Sequence, residues 1–349
     1  MFSFRRKLDP NKPIGALGSV DGWKTLSIKE CGEPLVPLGP FSPYRQIATD
    51  AIYFGAANSS PYPMAKLDGA LVTIFVREGI ANRLARATTM LPPGFMILVW
   101  DAYRTLSVQK ALFDYFVEVL RGRGLSHEQA IEDAQKFVSI PSDDPSKAPP
   151  HNTGGAVDLT LIRFTPAAWK RMRMLTKAAS VKETADNWRG IFKAEMERLQ
   201  LIRQAELLDM GTVFDEVLPQ TETCYYEGLD ERQLTAHERK IRDNRRLLHQ
   251  VMAAVGLSNY PAEWWHYDGG NQFAAARTGE GAIYGPATFS SENEEHEAIR
   301  RGHHFRCVNF AEGRQPRGKI EHEFYPFVRD VVAQTGNLRH TTQPMAAAI

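Results

Sequence analysis

Two short segments more than a hundred residues apart, PPHNTGGAVDLTL at 149–161 and EWWHYD at 263–268, constrain this chain more than anything else in it. Between them His151, Asp158 and His266 supply two imidazoles and a carboxylate. Such a donor set holds Zn²⁺ and leaves a fourth position open for water. Glu263 adds a spare carboxylate that can take that water's proton. A fold that uses all four must bring both segments to one place. GAVDLTLI alternates well enough for a half-buried strand, with Ala156, Asp158 and Thr160 on one face and Asp158 directed toward a cleft. EWWHY is short and aromatic-rich, which favours a strand. In an ideal strand positions 263 and 266 face opposite sides, so the strand must bulge, twist or end between them if both are to reach one metal.

With 349 residues and 43% hydrophobic content, the chain can bury one large core or two ordinary ones. Its 42 Lys+Arg against 41 Asp+Glu leave a net charge of +1, which points away from nucleic acid and anionic membranes and toward a small neutral or zwitterionic substrate. Cys31, Cys224 and Cys307 are odd in number and far apart, and they read as buried or free thiols. Asp9, Pro10 and Lys12 interrupt the basic N-terminus before an apolar signal core can form, and no later run approaches ~20 apolar residues. The expectation is a soluble, cytoplasmic protein.

Residues 1–63 are rich in Pro and Gly and read as an irregular wrapping segment with little chemistry, with a short strand at 51–54. Apolar spacing predicts a helix from Met64 to the Pro92-Pro93-Gly94 stop. FMILVW (95–100) then predicts a buried strand that delivers Asp101, Tyr103 and Arg104 to its end, with Thr105 capping a helix to about Leu120. Residues 166–208 predict one long or two shorter helices. Ten Lys/Arg against four Asp/Glu within 163–203 suit a solvated face, a lid or a subunit contact. Thr235-x-x-Glu238 is a capping box for a helix reaching Gly256. HHFRCVNF (303–310) carries a weak strand signal, and 340–349 read as a frayed end. His296, His303, His304, His322 and His340 read as surface residues.

Each motif alone is weak, because a lone His is usually packed and ExxH arises by chance. Taken in order, WDAYR, HNTGGAVDLTL, MGTVFD and EWWHY resemble the D-alanyl-D-alanine dipeptidases of the vancomycin-resistance type. More distantly they resemble zinc D,D-carboxypeptidases and the Hedgehog signalling domain. The resemblance spans roughly 46–162 and 209–275. It implies His151, Asp158 and His266 as zinc ligands and Glu263 as the catalytic base. Arg104 would face the scissile carbonyl, Asp215 would hold the substrate's free amine, and Asp101 would be a supporting carboxylate near the substrate. Two departures lie beside the site: Pro149 stands where the family has Ser, and Thr153 where the dipeptidase has Arg. They leave the exact dipeptide preference open.

The expected fold is α+β, a small antiparallel sheet packed against helices in the Hedgehog/D,D-peptidase manner. It divides into the wrapping segment at 1–63, a catalytic domain at 64–284 with a helical insertion at 163–208, and an extension at 285–349. The expected function is zinc-dependent hydrolysis of a small dipeptide such as D-Ala-D-Ala, with no nucleic-acid or membrane partner and with room for a homo-oligomer. The alternatives are a D,D-carboxypeptidase or peptidoglycan amidase, which needs an open cleft, and a zinc-stabilised binding module, which needs neither Glu263 nor Arg104.

Overall fold

The structure, a computed structural model, describes residues 8–9, 11–54, 67–135, 138–184, 186–216 and 218–311, with side chains through residue 302. The expectations for 340–349, His322 and His340, and for the side chains of His303, His304 and Cys307, lie outside the described residues. In chain order the elements are β1 (Leu35–Pro37), β2 (Ala48–Thr49), β3 (Phe75–Arg77), α1 (Glu78–Thr88), β4 (Phe95–Asp101), α2 (Leu106–Gly122), α3 (His127–Ala134) and β5 (Ala156–Arg163). There follow α4 (Pro166–Ala179), α5 (Trp188–Gln204), β6 (Glu206–Leu207), α6 (Ala236–Ala254), β7 (Ser258–Asn259), β8 (His266–Asp268), α7 (Gln272–Thr278) and α8 (Ser291–Ala311). The fold is mixed α+β, and among the described residues no helix is long and apolar enough to cross a membrane.

The main sheet runs β2-β4-β5-β8-β7, with β6 also paired to β5, while β1 and β3 form a separate antiparallel pair. The main sheet is antiparallel as expected except at its edge, where β2 runs parallel to β4. As its unbroken apolar run requires, β4 is buried along almost its whole length. It is also irregular at its end: the register with β5 shifts between Val99 and Asp101, so that Asp101 comes opposite Asp158. On its other side β5 pairs with β8 in a register that sets His266 opposite Asp158. Asp158 is thus flanked by the site-bearing ends of both neighbouring strands. Contrary to the half-buried expectation, Ala156–Ile162 is buried throughout.

Several local expectations are corrected by tertiary contacts. The helix predicted from 64 begins only at Glu78. Gly69 adopts φ +73°, and a Cβ there would lie 1.9 Å from Ser107 Oγ, so the chain turns sharply at this point. Phe75–Arg77 then pairs with β1. Ile52–Phe54 forms a buried 3₁₀ turn, not a strand, closed by the Phe54 amide donating to the Ala51 carbonyl at 3.1 Å. HHFRCVNF continues α8, which starts where Ser290 and Asn293 cap each other and is tied down where Glu297 accepts from the Val72 and Thr73 amides. A helix already nucleated overrides the weak local strand preference. The helix after Thr105 and the Thr235/Glu238 capping box form as expected.

The insertion is two helices, α4 and α5. No described residue of 163–208 lines the cavity described below, so these residues do not wall the cleft. It docks instead on the loop at 39–47: Glu195, fully buried, pairs with Arg45 at 3.2 Å and with Arg198, and accepts from the Phe41 amide. Arg198 also donates to the Arg45 carbonyl. Removing the one carboxylate leaves buried guanidinium charge uncompensated. Glu195→Ala is therefore expected to cost about 3–5 kcal/mol, read as a lower urea midpoint with an unchanged m-value.

Candidate metal centre and its cavity

His151 Nε2, Asp158 and a ring nitrogen of His266 offer three ligand atoms within 4.8 Å of one another, and all three residues are buried. Each imidazole is oriented from behind. His151 Nδ1 lies 2.8 Å from the Ala102 carbonyl oxygen, which can only accept, so this nitrogen carries the proton and Nε2 is left to face Asp158 at 3.3 Å. His266 is turned the other way: Nε2 meets Asp268 Oδ2 at 3.0 Å and Nδ1 meets Asp158 Oδ1 at 2.9 Å. A proton can bridge that last pair, and both residues would be among those that hold a metal ion. Asp268 is itself held by Asn271 Nδ2 and Arg277, which fixes the ring through a fully buried chain of contacts.

Glu263 reaches the same point because the aromatic segment is a turn before it becomes a strand. The Glu263 amide donates to the Tyr260 carbonyl and the His266 amide to that of Glu263, so β8 starts only at His266 and the two side chains share a side. Of the ways to reconcile positions 263 and 266, the chain uses ending the strand between them. Asn259 clamps the turn, donating to the carbonyls of both Glu263 and His266. Glu263 Oε2 lies 3.8 Å from His266 Nδ1. Burial pushes its carboxyl up to about 8, with Asp158 and Asp215 adding to the rise and His266 and Arg104 opposing it.

Arg104 is buried where β4 ends. Its Nε and Nη2 donate to Asp101 Oδ2 at 3.0 and 2.6 Å, Nη1 to Gln109 at 2.9 Å and Nη2 to the Tyr53 hydroxyl at 3.0 Å. Four of its five N–H groups are thereby placed, and the guanidinium still lines the cavity. Desolvation works against its charge, but Asp101, Tyr53 and Asp158 keep it protonated. Asp101, expected at the substrate, does not line that cavity: it lies behind Arg104 and 3.4 Å from His151 Nδ1, where it supports both. Asp215 sits in the left-handed region at φ +57°, a strained conformation for a non-glycine residue. Its neighbour Phe214 packs on Trp100 and Trp265 at 5.1 and 5.5 Å between centroids, and Arg245 holds the carbonyls of Met210, Gln220 and Glu222 around the loop.

These side chains converge on a cavity of about 420 Å³ bordered by His151, Asp158, Asp215, Glu263, His266 and Arg104. Pro149 also lines it, whereas Thr153 is buried beneath, bonding the Pro150 carbonyl and the Gly155 amide. Two participants were not predicted. Asp268 was legible in principle, since a residue two beyond His266 on a strand shares its face. Tyr53 was not, because nothing in a Pro- and Gly-rich stretch marks one tyrosine, and that stretch does carry chemistry. With Tyr53 and Trp23 on the wall, the division at residue 63 does not separate the site from the wrapping segment.

Comparison with known proteins agrees with the motif resemblance. The sequence profile of a family described as D-ala-D-ala dipeptidase matches residues 193–281, which hold Asp215, Glu263, His266 and Asp268. A D-alanyl-D-alanine dipeptidase of Synechocystis sp. is 29% identical over 272 residues, covering 72% of this chain and 87% of that relative.

Proposed function

We propose that this chain, which is related to the D-alanyl-D-alanine dipeptidases, is a zinc peptidase that hydrolyses a small dipeptide such as D-Ala-D-Ala. The observation that carries the reading is the convergence of three metal donors with a separate carboxylate, Glu263, in one cavity. Two imidazole nitrogens and a carboxylate oxygen suit zinc and fall short of the six or more oxygens that calcium takes. His151, Asp158 and His266 would hold the ion, which when bound acidifies water and polarises a carbonyl. Glu263 takes the proton of the attacking water and returns it to the leaving amine. Arg104 turns its remaining N–H toward the carbonyl oxygen, where charge develops. Asp215 pairs with the substrate's free ammonium, and Tyr53 and Asp101 hold Arg104 in place.

A volume of about 420 Å³ lies toward the small end of ligand pockets and suits a short peptide. A second cavity of about 350 Å³ adjoins it, sharing Phe116, Asp215, Tyr260 and Glu263. That space favours, as the second reading, a D,D-carboxypeptidase whose substrate continues past Asp215. The test is a panel of D-Ala-D-Ala, L-Ala-L-Ala, mixed-chirality dipeptides and N-acetyl-D-Ala-D-Ala given to the zinc-loaded protein. Acetylation removes the charge that Asp215 would pair, so the free dipeptide is expected to be cleaved ~10–100-fold more efficiently. Equal cleavage of the acetylated peptide selects the carboxypeptidase, and no cleavage of any peptide selects a binding module.

A further inference from the structure

We infer that Lys24 and Lys147 form the anion-binding end of the cavity and receive the terminal carboxylate of the substrate, an assignment that rests on the dipeptidase reading. A dipeptide zwitterion carries two opposite charges, and each must find a partner as it leaves water. The acidic groups Asp215 and Glu263 border both the main cavity and the adjoining one, which places them on the side where the two meet. Lys24 and Lys147 border only the main cavity. The third cationic side chain on the wall, Arg104, is already matched by Asp101 at 2.6 Å. Among the described residues, the two lysines are therefore the Lys or Arg charge on this wall left for a carboxylate.

They come from separate segments, yet one buried side chain joins those segments. Gln272, 2% exposed at the start of α7, donates through Nε2 to the Leu26 carbonyl at 2.6 Å and to the Ser146 carbonyl at 2.9 Å. The first bond anchors the strand of chain two residues beyond Lys24, and the second anchors the residue before Lys147. The next residue, Phe273, meets Trp23 edge-on at 4.9 Å and lies 6.4 Å from the His266 ring, so the lysine rim is tied to a metal-site imidazole through aromatic contacts. Lys24, exposed and bordering the cavity, rests its Nζ 5.5 Å over the Trp23 ring. Lys147 touches Asp144 at 3.3 Å in a solvent-exposed pair, which holds it only weakly and lets it exchange partners. Two flexible ammoniums on segments that Gln272 joins suit a carboxylate that enters from solvent.

The test compares D-Ala-D-Ala with its C-terminal amide in zinc-loaded wild type, Lys24→Met, Lys147→Met and the double variant. Each single change is expected to raise KM for the free acid on the order of 10-fold with little change in kcat. KM for the amide should stay at the wild-type value, which also reports that each variant is folded. Lys24→Arg and Lys147→Arg should retain the preference for the acid. An unchanged acid KM in the double variant, or an equal rise for acid and amide, overturns the assignment alone. A wild type that cleaves neither compound overturns the dipeptidase reading and this assignment with it.

Discussion

Glu263→Gln is expected to lower kcat for D-Ala-D-Ala by ~10²–10⁴-fold while zinc content and fold remain those of the wild type. The carboxylate lies 3.8 Å from His266 Nδ1, near enough to serve a water at the metal, and it is not one of the three clustered donors. Gln keeps the shape and the hydrogen-bonding reach and removes only the basicity. The pH profile has a definite sign. Burial pushes the Glu263 carboxyl up to about 8, and a bound zinc charge draws it back down. A base works only when ionised, so kcat/KM should fall on an acid limb lying below pH ~8, and the residual activity of the Gln variant should lack that limb. A variant with wild-type rate, or one that has lost its zinc, would remove Glu263 from the base role.

Removal of a donor should strip the metal. His151→Ala and His266→Ala are expected to retain little zinc after dialysis, as measured by elemental analysis, and to show no detectable hydrolysis; full occupancy in both would sink the assignment. Asp268→Asn tests the support behind the site and should weaken zinc binding ~10–100-fold with the three ligands intact. The same cluster gives the metal-free protein a pH signature. Burial disfavours charge on His266, but Asp268 and Asp158 outweigh it and hold the imidazolium well above its ordinary value. Burial likewise works against Asp158, yet His151 and His266 hold its carboxyl well below the usual carboxylate range. The His266 contribution is fully present below about pH 6.5 and is lost as pH rises through the elevated value. His266 and Asp158 would give up that shared proton in holding zinc, so the gain in melting temperature on adding zinc should grow from pH 6 to pH 9. A gain that shrinks over this range would show that no proton is displaced there.

The parts of the fold that were legible in the sequence share a property: their signal is local. FMILVW is a buried strand because six consecutive apolar residues of that length cannot face water. Thr105 and Thr235 start helices because their side chains satisfy amides three residues on. Where a partner distant in sequence decided the outcome, local pattern failed. Phe75–Arg77 leaves its apparent helix to pair with Leu35–Pro37, and Ile52–Phe54 becomes a buried turn whose Tyr53 carbonyl accepts from the Leu67 amide. The insertion's basic composition pointed to a solvated face, a lid or a subunit contact and gave no sign that the buried Glu195 fastens it to the loop at 39–47.

The site divides in the same way. Residue chemistry put His151, Asp158, Glu263 and His266 forward as a donor set and a base, and the resemblance of the four motifs in order gave them their expected roles, because few side chains bind a metal or move a proton. Tertiary structure decided how they meet: a shift in the β4–β5 register, the pairing of Asp158 with His266, and a turn at 263–265 that sets Glu263 beside His266. It also decided that Asp101 stands behind Arg104, that Asp268 meets His266, and that Tyr53 and Lys24 border the cavity. Ligand identity is a property of single side chains, whereas orientation and the walls of a cavity depend on segments brought together from far along the chain.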